Sequence, residues 1–351
     1  MAKIAVIPGD GAGIEVMRES MRLLEWLNAH RDLKLEFEPF DFGAERYLKT
    51  GVGLPEGQIE RFQNGYDAIL FGAVGDPRVK GQVHAREILL GLRFGLDLYV
   101  NFRPCRLLAD SLSPLKGKGQ KDIDFVVFRE NTEGMYNGIG GVLKKGTADE
   151  VAIAEEINTR KGVERIIRAA FAWAKKKGRT KVALADKSNA IAAHELWLRT
   201  FREVAAEYPG IEASHWYVDA LAMQLVMTPE RFSVIVTTNL FGDILTDLGA
   251  ALTGGMGVAP SASLNPTSTP LFEPVHGSAP DIAGKGIVNP IAMVLCMSLM
   301  LEELGFAAEA QAVSQAVEKA VHSGEVTRDL GGPLSTGAAV DRLLVHLQAL
   351  L

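Results

Sequence analysis

Asp243 and Asp247 stand four residues apart in the run Val234-Ile-Val-Thr-Thr-Asn-Leu-Phe-Gly-Asp243-Ile-Leu-Thr-Asp247. On a helix that spacing puts both carboxylates on one face, a turn apart. Like charges repel there, and nothing in the local helix offsets them. A hard divalent cation such as Mg²⁺ or Mn²⁺ would, because it prefers carboxylate oxygens. The alternative is a solvated helix start whose acids favour the dipole. A third acid, Asp219, closes the strand-like run His215–Val218; by itself such a residue is more often a helix N-cap for the segment after it. Lys187, in Ala185-Asp-Lys-Ser-Asn189, follows another strand end. Exposed, it is an ordinary surface charge. Desolvated beside a metal, a lysine sheds its proton more readily and serves as a base.

Arg93, Arg103 and Arg129 are the natural grip for a dicarboxylate, since the guanidinium fork matches carboxylate geometry. Taken singly, each is more often a surface ion pair. Tyr136, in Glu133-Gly-Met-Tyr136, is either a core aromatic or a general acid. The stretch His276–Asn289 is rich in small residues and turn formers, so its backbone can approach a flat ligand closely or simply connect two elements.

The elements that must hold these groups alternate between short apolar runs and helical patterns, the signature of an α/β protein with a largely parallel sheet. Strands are expected at Ile4–Ile7, Ala68–Phe71, Phe125–Phe128, Val182–Ala185 and Val234–Thr238. Helices are expected at about Ile14–Asn28, from His84, at Gly162–Lys177 and at Pro290–Leu304. The turn Gly9-Asp-Gly-Ala-Gly13 follows a strand and precedes a helix, yet it is not a dinucleotide fingerprint. Ile14 stands where G-x-G-x-x-G needs its last glycine, and Asp10 would repel a pyrophosphate.

At 351 residues the chain is long enough for two lobes. A formal charge of −6 argues against a nucleic-acid footprint, while a few local arginines suffice for an acidic ligand. Cys105 and Cys296 lie far apart in apolar surroundings and read as reduced, buried thiols. No signal-peptide h-region opens the chain, and the longest apolar stretch, Ile291–Leu301, is too short to span a bilayer. The expectation is a soluble, cytoplasmic protein that binds neither membrane nor nucleic acid.

Three motifs, Arg129-Glu-Asn-Thr-Glu-Gly134, Thr238-Asn-Leu-Phe-Gly-Asp-Ile244 and Phe272-Glu-Pro-Val-His-Gly-Ser-Ala-Pro-Asp-Ile-Ala-Gly284, resemble those of the β-decarboxylating dehydrogenases, the isocitrate/isopropylmalate dehydrogenase family. The resemblance covers nearly the whole chain. It implies a two-lobed α/β fold that is not a standard Rossmann fold, with residues 1–98 and 251–351 as one lobe and 99–250 as the other. It also implies a homodimer with shared active sites acting on a small 2-hydroxy diacid. On this likeness Arg93, Arg103 and Arg129 hold substrate carboxylates, and Asp219, Asp243 and Asp247 bind Mg²⁺ or Mn²⁺. Lys187 deprotonates the hydroxyl and Tyr136 protonates the enol; Lys187 and Asp219 come from the neighbouring subunit. The cofactor implied is NAD, held by Asn189, Glu273, His276, Gly277, Ser278, Ala279, Asp281 and Asn289, with Asp281 disfavouring a 2′-phosphate.

Leu89 and Leu90 precede Arg93 as a pair that resembles the isopropyl-covering leucines of isopropylmalate enzymes, so 3-isopropylmalate is the expected substrate. Arg86 stands where the family usually has glutamate, with Glu87 one place on. Segments 72–78 and 137–145 look partly like tartrate/D-malate enzymes, which makes those substrates the alternative.

Overall fold

Strand residues alternate between the two faces of a sheet, so a sheet covered on both sides asks for apolar residues at successive positions. The computed structural model describes residues 1–351 and contains twelve strands. They are β1 (Ala2–Gly9), β2 (Leu35–Pro39), β3 (Ala68–Ala73), β4 (Val100–Arg106), β5 (Asp124–Glu130), β6 (Gly140–Leu143), β7 (Val151–Ala154), β8 (Lys181–Asp186), β9 (Glu212–Tyr217), β10 (Val234–Thr237), β11 (Pro260–Leu264) and β12 (Leu271–Pro274). Ten form one sheet in the order β2-β1-β3-β12-β11-β4-β5-β10-β8-β9, while β6 and β7 make a separate antiparallel hairpin. The sheet is parallel towards both edges. At its centre β12–β11, β11–β4 and β4–β5 are antiparallel, a break in the expected parallel order. The strands on one side of the β11–β4 contact come from residues 2–73 and 260–274, and those on the other from 100–237.

The two faces of the sheet are unlike. One carries a single core of 53 residues that runs from Ile4, Val6 and Leu70 through Phe102 and Phe128 to Val182 and Val234. Helices Ala12–Arg31, Arg160–Lys176 and Ile291–Glu303 contribute to it. The opposite face has two smaller cores. Ala5, Ile7, Ile69 and Phe71 pack with Ile88 and Leu92 at one end, and Cys105, Val127, Ala183 and Ile235 pack with Leu245 at the other. Between these two cores the central strands present polar side chains: Asn101 and Arg103 on β4, Arg129 on β5, Ser261 and Ser263 on β11, and Glu273 on β12, all buried. The gap is the cleft in which the site is built.

Helix ends follow local chemistry. The expected Ile14–Asn28 helix runs from Ala12 to Arg31, starting directly after Gly11 and stopping at Asp32 in the left-handed region. Arg160–Lys176 begins where the Thr159 hydroxyl accepts from the Gly162 N–H. Gly9, at φ 73°, must be glycine, because a Cβ there would lie 1.9 Å from the Ala73 carbonyl oxygen. Both cysteines are free and buried, and burial pushes the Cys105 thiol up to about 12, which keeps it unreactive. No helix is long and apolar enough to cross a membrane.

Candidate active site

Arg103 and Arg129 lie on adjacent antiparallel strands, where Arg103 is opposite Val127 and Asn101 opposite Arg129. Both guanidinium groups therefore rise from one face of the sheet. The helix Asn239–Leu252 covers that face and brings Asp243 to them. Arg129 Nη1 lies 2.5 Å from Asp243 Oδ1, and its Nε and Nη2 donate to Asn239 Oδ1 at 3.1 and 2.8 Å. Arg103 Nη1 donates to Thr246 Oγ1 at 2.7 Å and lies 3.6 Å from Asp243 Oδ1. Gly242 lets the Arg129 side chain cross the helix, since a Cβ there would sit 2.4 Å from Arg129 Cγ. Arg93 arrives from the helical segment Val83–Gly95 and donates to Glu273 Oε1 at 2.7 Å.

These groups line a cavity of about 400 Å³. Arg86, Leu89, Leu90 and Arg93 face it from one helical stretch, at positions i, i+3, i+4 and i+7. Residues 86–90 of that stretch form a π turn, a distortion found often at functional sites. The Nε atoms of Arg93 and Arg103 are buried without a hydrogen-bond partner. Three guanidinium groups on one cavity leave an excess of donors over acceptors there, which fits an anionic ligand. Burial, then repulsion from Arg103, pulls the Arg129 guanidinium down to about 9.

Burial raises the Asp243 carboxyl, but the charges of Arg129 and Arg103 outweigh it and hold the group below the usual carboxylate range. The Asp243–Asp247 repulsion is thus partly offset by arginines distant in sequence, while the helix itself supplies no counter-charge. Asp247 is offset less: partial desolvation, then the charge of Asp243, outweighs Arg103 and Arg129 and pushes it up. Tyr136 is no core aromatic; it is 37% exposed and its hydroxyl donates to Asp243 Oδ2 at 3.1 Å. Burial and the Asp243 charge raise its phenol, which stays protonated and able to donate.

Lys187 and Asp219 pair with each other, Nζ to Oδ1 2.7 Å, and Asp219 does not join Asp243 and Asp247 in one ligand cluster. Asp219 is not a helix N-cap; it stands in the first turn of Val218–Met227, whose N-cap is Tyr217. No three acidic, histidine or cysteine side chains of one chain gather as a metal site. One chain thus supplies two carboxylates on a helix face, a donor set that fits part of the shell of a hard cation.

The profile of the isocitrate/isopropylmalate dehydrogenase family matches residues 3–343. The chain belongs to the isocitrate/isopropylmalate dehydrogenase family. It is 50% identical over 318 residues to the 3-isopropylmalate dehydrogenase of Thermobifida fusca, covering 90% of each chain. It is 47% identical over 344 residues to that of Streptomyces griseus, covering 96% of this chain and 98% of the relative. Among solved structures, isocitrate dehydrogenase from Methylococcus capsulatus superposes with a TM-score of 0.89 at 37% identity, over 99% of this chain and 100% of that one. A β-decarboxylating dehydrogenase from Thermococcus kodakarensis gives 0.81 at 36%, over 99% and 97%. The fold is therefore the family's α/β fold.

The family's third motif forms the loop after β12. Ala12 N–H donates to the Ser278 carbonyl at 2.7 Å and Glu15 accepts from Gly284 N–H at 2.9 Å, so the glycine turn that fails the dinucleotide fingerprint buttresses this loop. His276 and Gly277 line the cavity, and burial lowers the His276 imidazole, keeping it neutral. Asp281 is exposed, Ser278 is buried, and Ala279 holds φ 38°. Glu273 is committed to Arg93, and Asn289 to Asp329 and the Ile291 N–H, so neither side chain is free. Asn189 is exposed beside Lys187. Reading the sequence missed Asn239, Thr246 and Asn101, which orient the arginines or floor the cleft.

Proposed function

We propose that this chain is an NAD-dependent, metal-dependent 3-isopropylmalate dehydrogenase that oxidises and decarboxylates its substrate to 2-oxo-4-methylpentanoate. The reading rests on one observation: Arg93, Arg103 and Arg129 converge on a cavity that Leu89 and Leu90 also line. The arginines suit the two carboxylates of a malate, and the leucines suit an alkyl group on its C3. Between Arg86 and Arg93 the stretch thus offers the cavity two leucines, which suit an alkyl group better than a third carboxylate. The relatives named 3-isopropylmalate dehydrogenase support the same choice.

Arg93, Arg103 and Arg129 bind and orient the substrate. The Lys187 amine takes the hydroxyl proton, and the Tyr136 hydroxyl later returns a proton to carbon. When bound, NAD⁺ would accept the C2 hydride and Mg²⁺ or Mn²⁺, on Asp243 and Asp247 with Asp219, would polarise the new carbonyl as CO₂ leaves. His276, Gly277, Ser278 and Ala279 offer a loop for the adenosine end, and the Asp281 carboxylate favours ribose hydroxyls over a 2′-phosphate.

Lys187 and Asp219 complete the site from a second copy. Apolar side chains left exposed support this homodimer: Met223, Val226 and Met227 follow Asp219 on its helix, Ile244 adjoins Asp243, and both strands of the β6–β7 hairpin are exposed. The sheet's division at β11–β4 supports lobes of 1–98 with 251–351 and 99–250. A cytoplasmic location fits a biosynthetic enzyme of this kind. NADH formation from 3-isopropylmalate tests the metal dependence: EDTA abolishes it and Mn²⁺ restores it, whereas full activity in metal-free protein would overturn the assignment.

A further inference from the structure

Asp10 is buried at the end of β1, and both of its carboxylate oxygens are used. Oδ1 accepts from the Ala44 N–H at 2.6 Å, which fixes the start of the helix Ala44–Thr50. Oδ2 accepts from the Gly75 N–H at 2.9 Å and from His84 Nε2 at 3.0 Å. His84 is fully buried, its Nδ1 has no partner, and its ring packs 5.8 Å from that of Tyr47. One carboxylate therefore ties β1 to three segments, two of which build the cavity. Gly72, Ala73 and Val74 precede Gly75, and the stretch with Arg86, Leu89, Leu90 and Arg93 follows His84.

A buried histidine–carboxylate contact is a poor way to gain stability, because an apolar residue of similar size fills such a space without desolvating polar groups. What it supplies is direction, since the hydrogen bond fixes the first turn of a helix whose next turns carry substrate contacts. That helix also contains a π turn, so its register against the end of β3 is not set by regular helical bonding alone.

We propose that Asp10 and His84 form a buried positioning pair that sets the Leu89–Leu90 face against the Gly72–Val74 wall and so sets the enzyme's selectivity for the group on C3. The selectivity part rests on the substrate reading above. Three substitutions isolate the hydrogen bond. His84→Leu removes the donor and keeps bulk. His84→Gln carries an amide nitrogen out to the Nε2 position, whereas the shorter His84→Asn does not reach Asp10.

The readout is the ratio of kcat/KM for 3-isopropylmalate to that for D-malate, with KM and kcat separated. The Leu and Asn variants lose about tenfold of the ratio through a raised KM for 3-isopropylmalate, with kcat on D-malate within about twofold of wild type; Gln restores the ratio. Hydrogen exchange on ligand-free protein supplies a second reading that needs no substrate. Amides of 72–78 and of 83–95 lose protection together in the Leu and Asn variants and regain it in Gln. A wild type without preference for 3-isopropylmalate overturns the substrate reading and leaves exchange to decide the pair. An unchanged ratio with a lowered Tm, or exchange changes confined to residues beside 84, overturns the positioning role.

Discussion

Trimming Leu90 to alanine separates a substrate-reading leucine from a merely structural one. Leu89 and Leu90 are half-buried and line the cavity beside Arg93. An isopropyl group has three carbons, and burial is worth about 0.8 kcal/mol per CH₂. Allowing for incomplete enclosure, its cover gains about 2 kcal/mol over hydrogen, a preference of roughly 30-fold for 3-isopropylmalate over D-malate. Leu90 is one of two leucines, so Leu90→Ala forfeits about 1 kcal/mol, roughly fivefold in kcat/KM, and leaves D-malate within about twofold. Its partial exposure keeps the stability cost below the ~2–5 kcal/mol of a fully buried leucine. Initial rates of NADH formation on both substrates, with a thermal melt of each protein, give all the quantities. Equal losses on the two substrates, or a large fall in Tm with an unchanged ratio, would refute the argument.

Two other perturbations probe the site's assembly. Lys187→Ala and Tyr136→Phe are each nearly inactive, yet mixed subunits that exchange regain part of the activity, since each heterodimer holds one site with both groups intact; no recovery despite heterodimers seen by native mass spectrometry counts against shared sites. The backbone of Lys187 is held by His194, whose Nδ1 accepts the Lys187 N–H at 3.0 Å while Nε2 contacts Glu156 at 2.9 Å. The hydrogen bond to His194 holds the Glu156 carboxyl below its ordinary 4.5 in the folded protein. A depressed folded value contributes stability above the unfolded value that is lost as pH falls through the folded one. The Tm gap between wild type and Glu156→Gln therefore closes as pH drops below about 4.5; a gap constant with pH would show that Glu156 does not act through its charge.

Strands buried on both faces were legible, because β1, β3, β8 and β10 are continuous apolar runs. The strands that carry the site were harder to see for the same reason that they are useful. In Asn101-Phe-Arg103 and Ser261-Ala-Ser263 every second residue is polar and faces the cleft, so no apolar run marks β4 or β11, and β12 is only four residues long with Glu273 inside it. Alternation read strictly at period two would have found β4 and β11. The i,i+4 acids and the arginines were visible as types, but local spacing could not show that Asp243 meets Arg129 across 114 positions. Asp10 looked only like an obstacle to a phosphate. Its four-segment role depends on His84, which is 74 residues away and carries no motif.

The most direct measurement is simultaneous NADH formation and CO₂ release across 3-isopropylmalate, D-malate, tartrate and isocitrate with Mn²⁺, run in parallel with NADP⁺. One CO₂ is expected for each NADH, with 3-isopropylmalate ahead of D-malate by roughly tens-fold in kcat/KM and NAD⁺ ahead of NADP⁺. Preference for tartrate, D-malate or isocitrate, or NADH formed without CO₂, would contradict the proposed function.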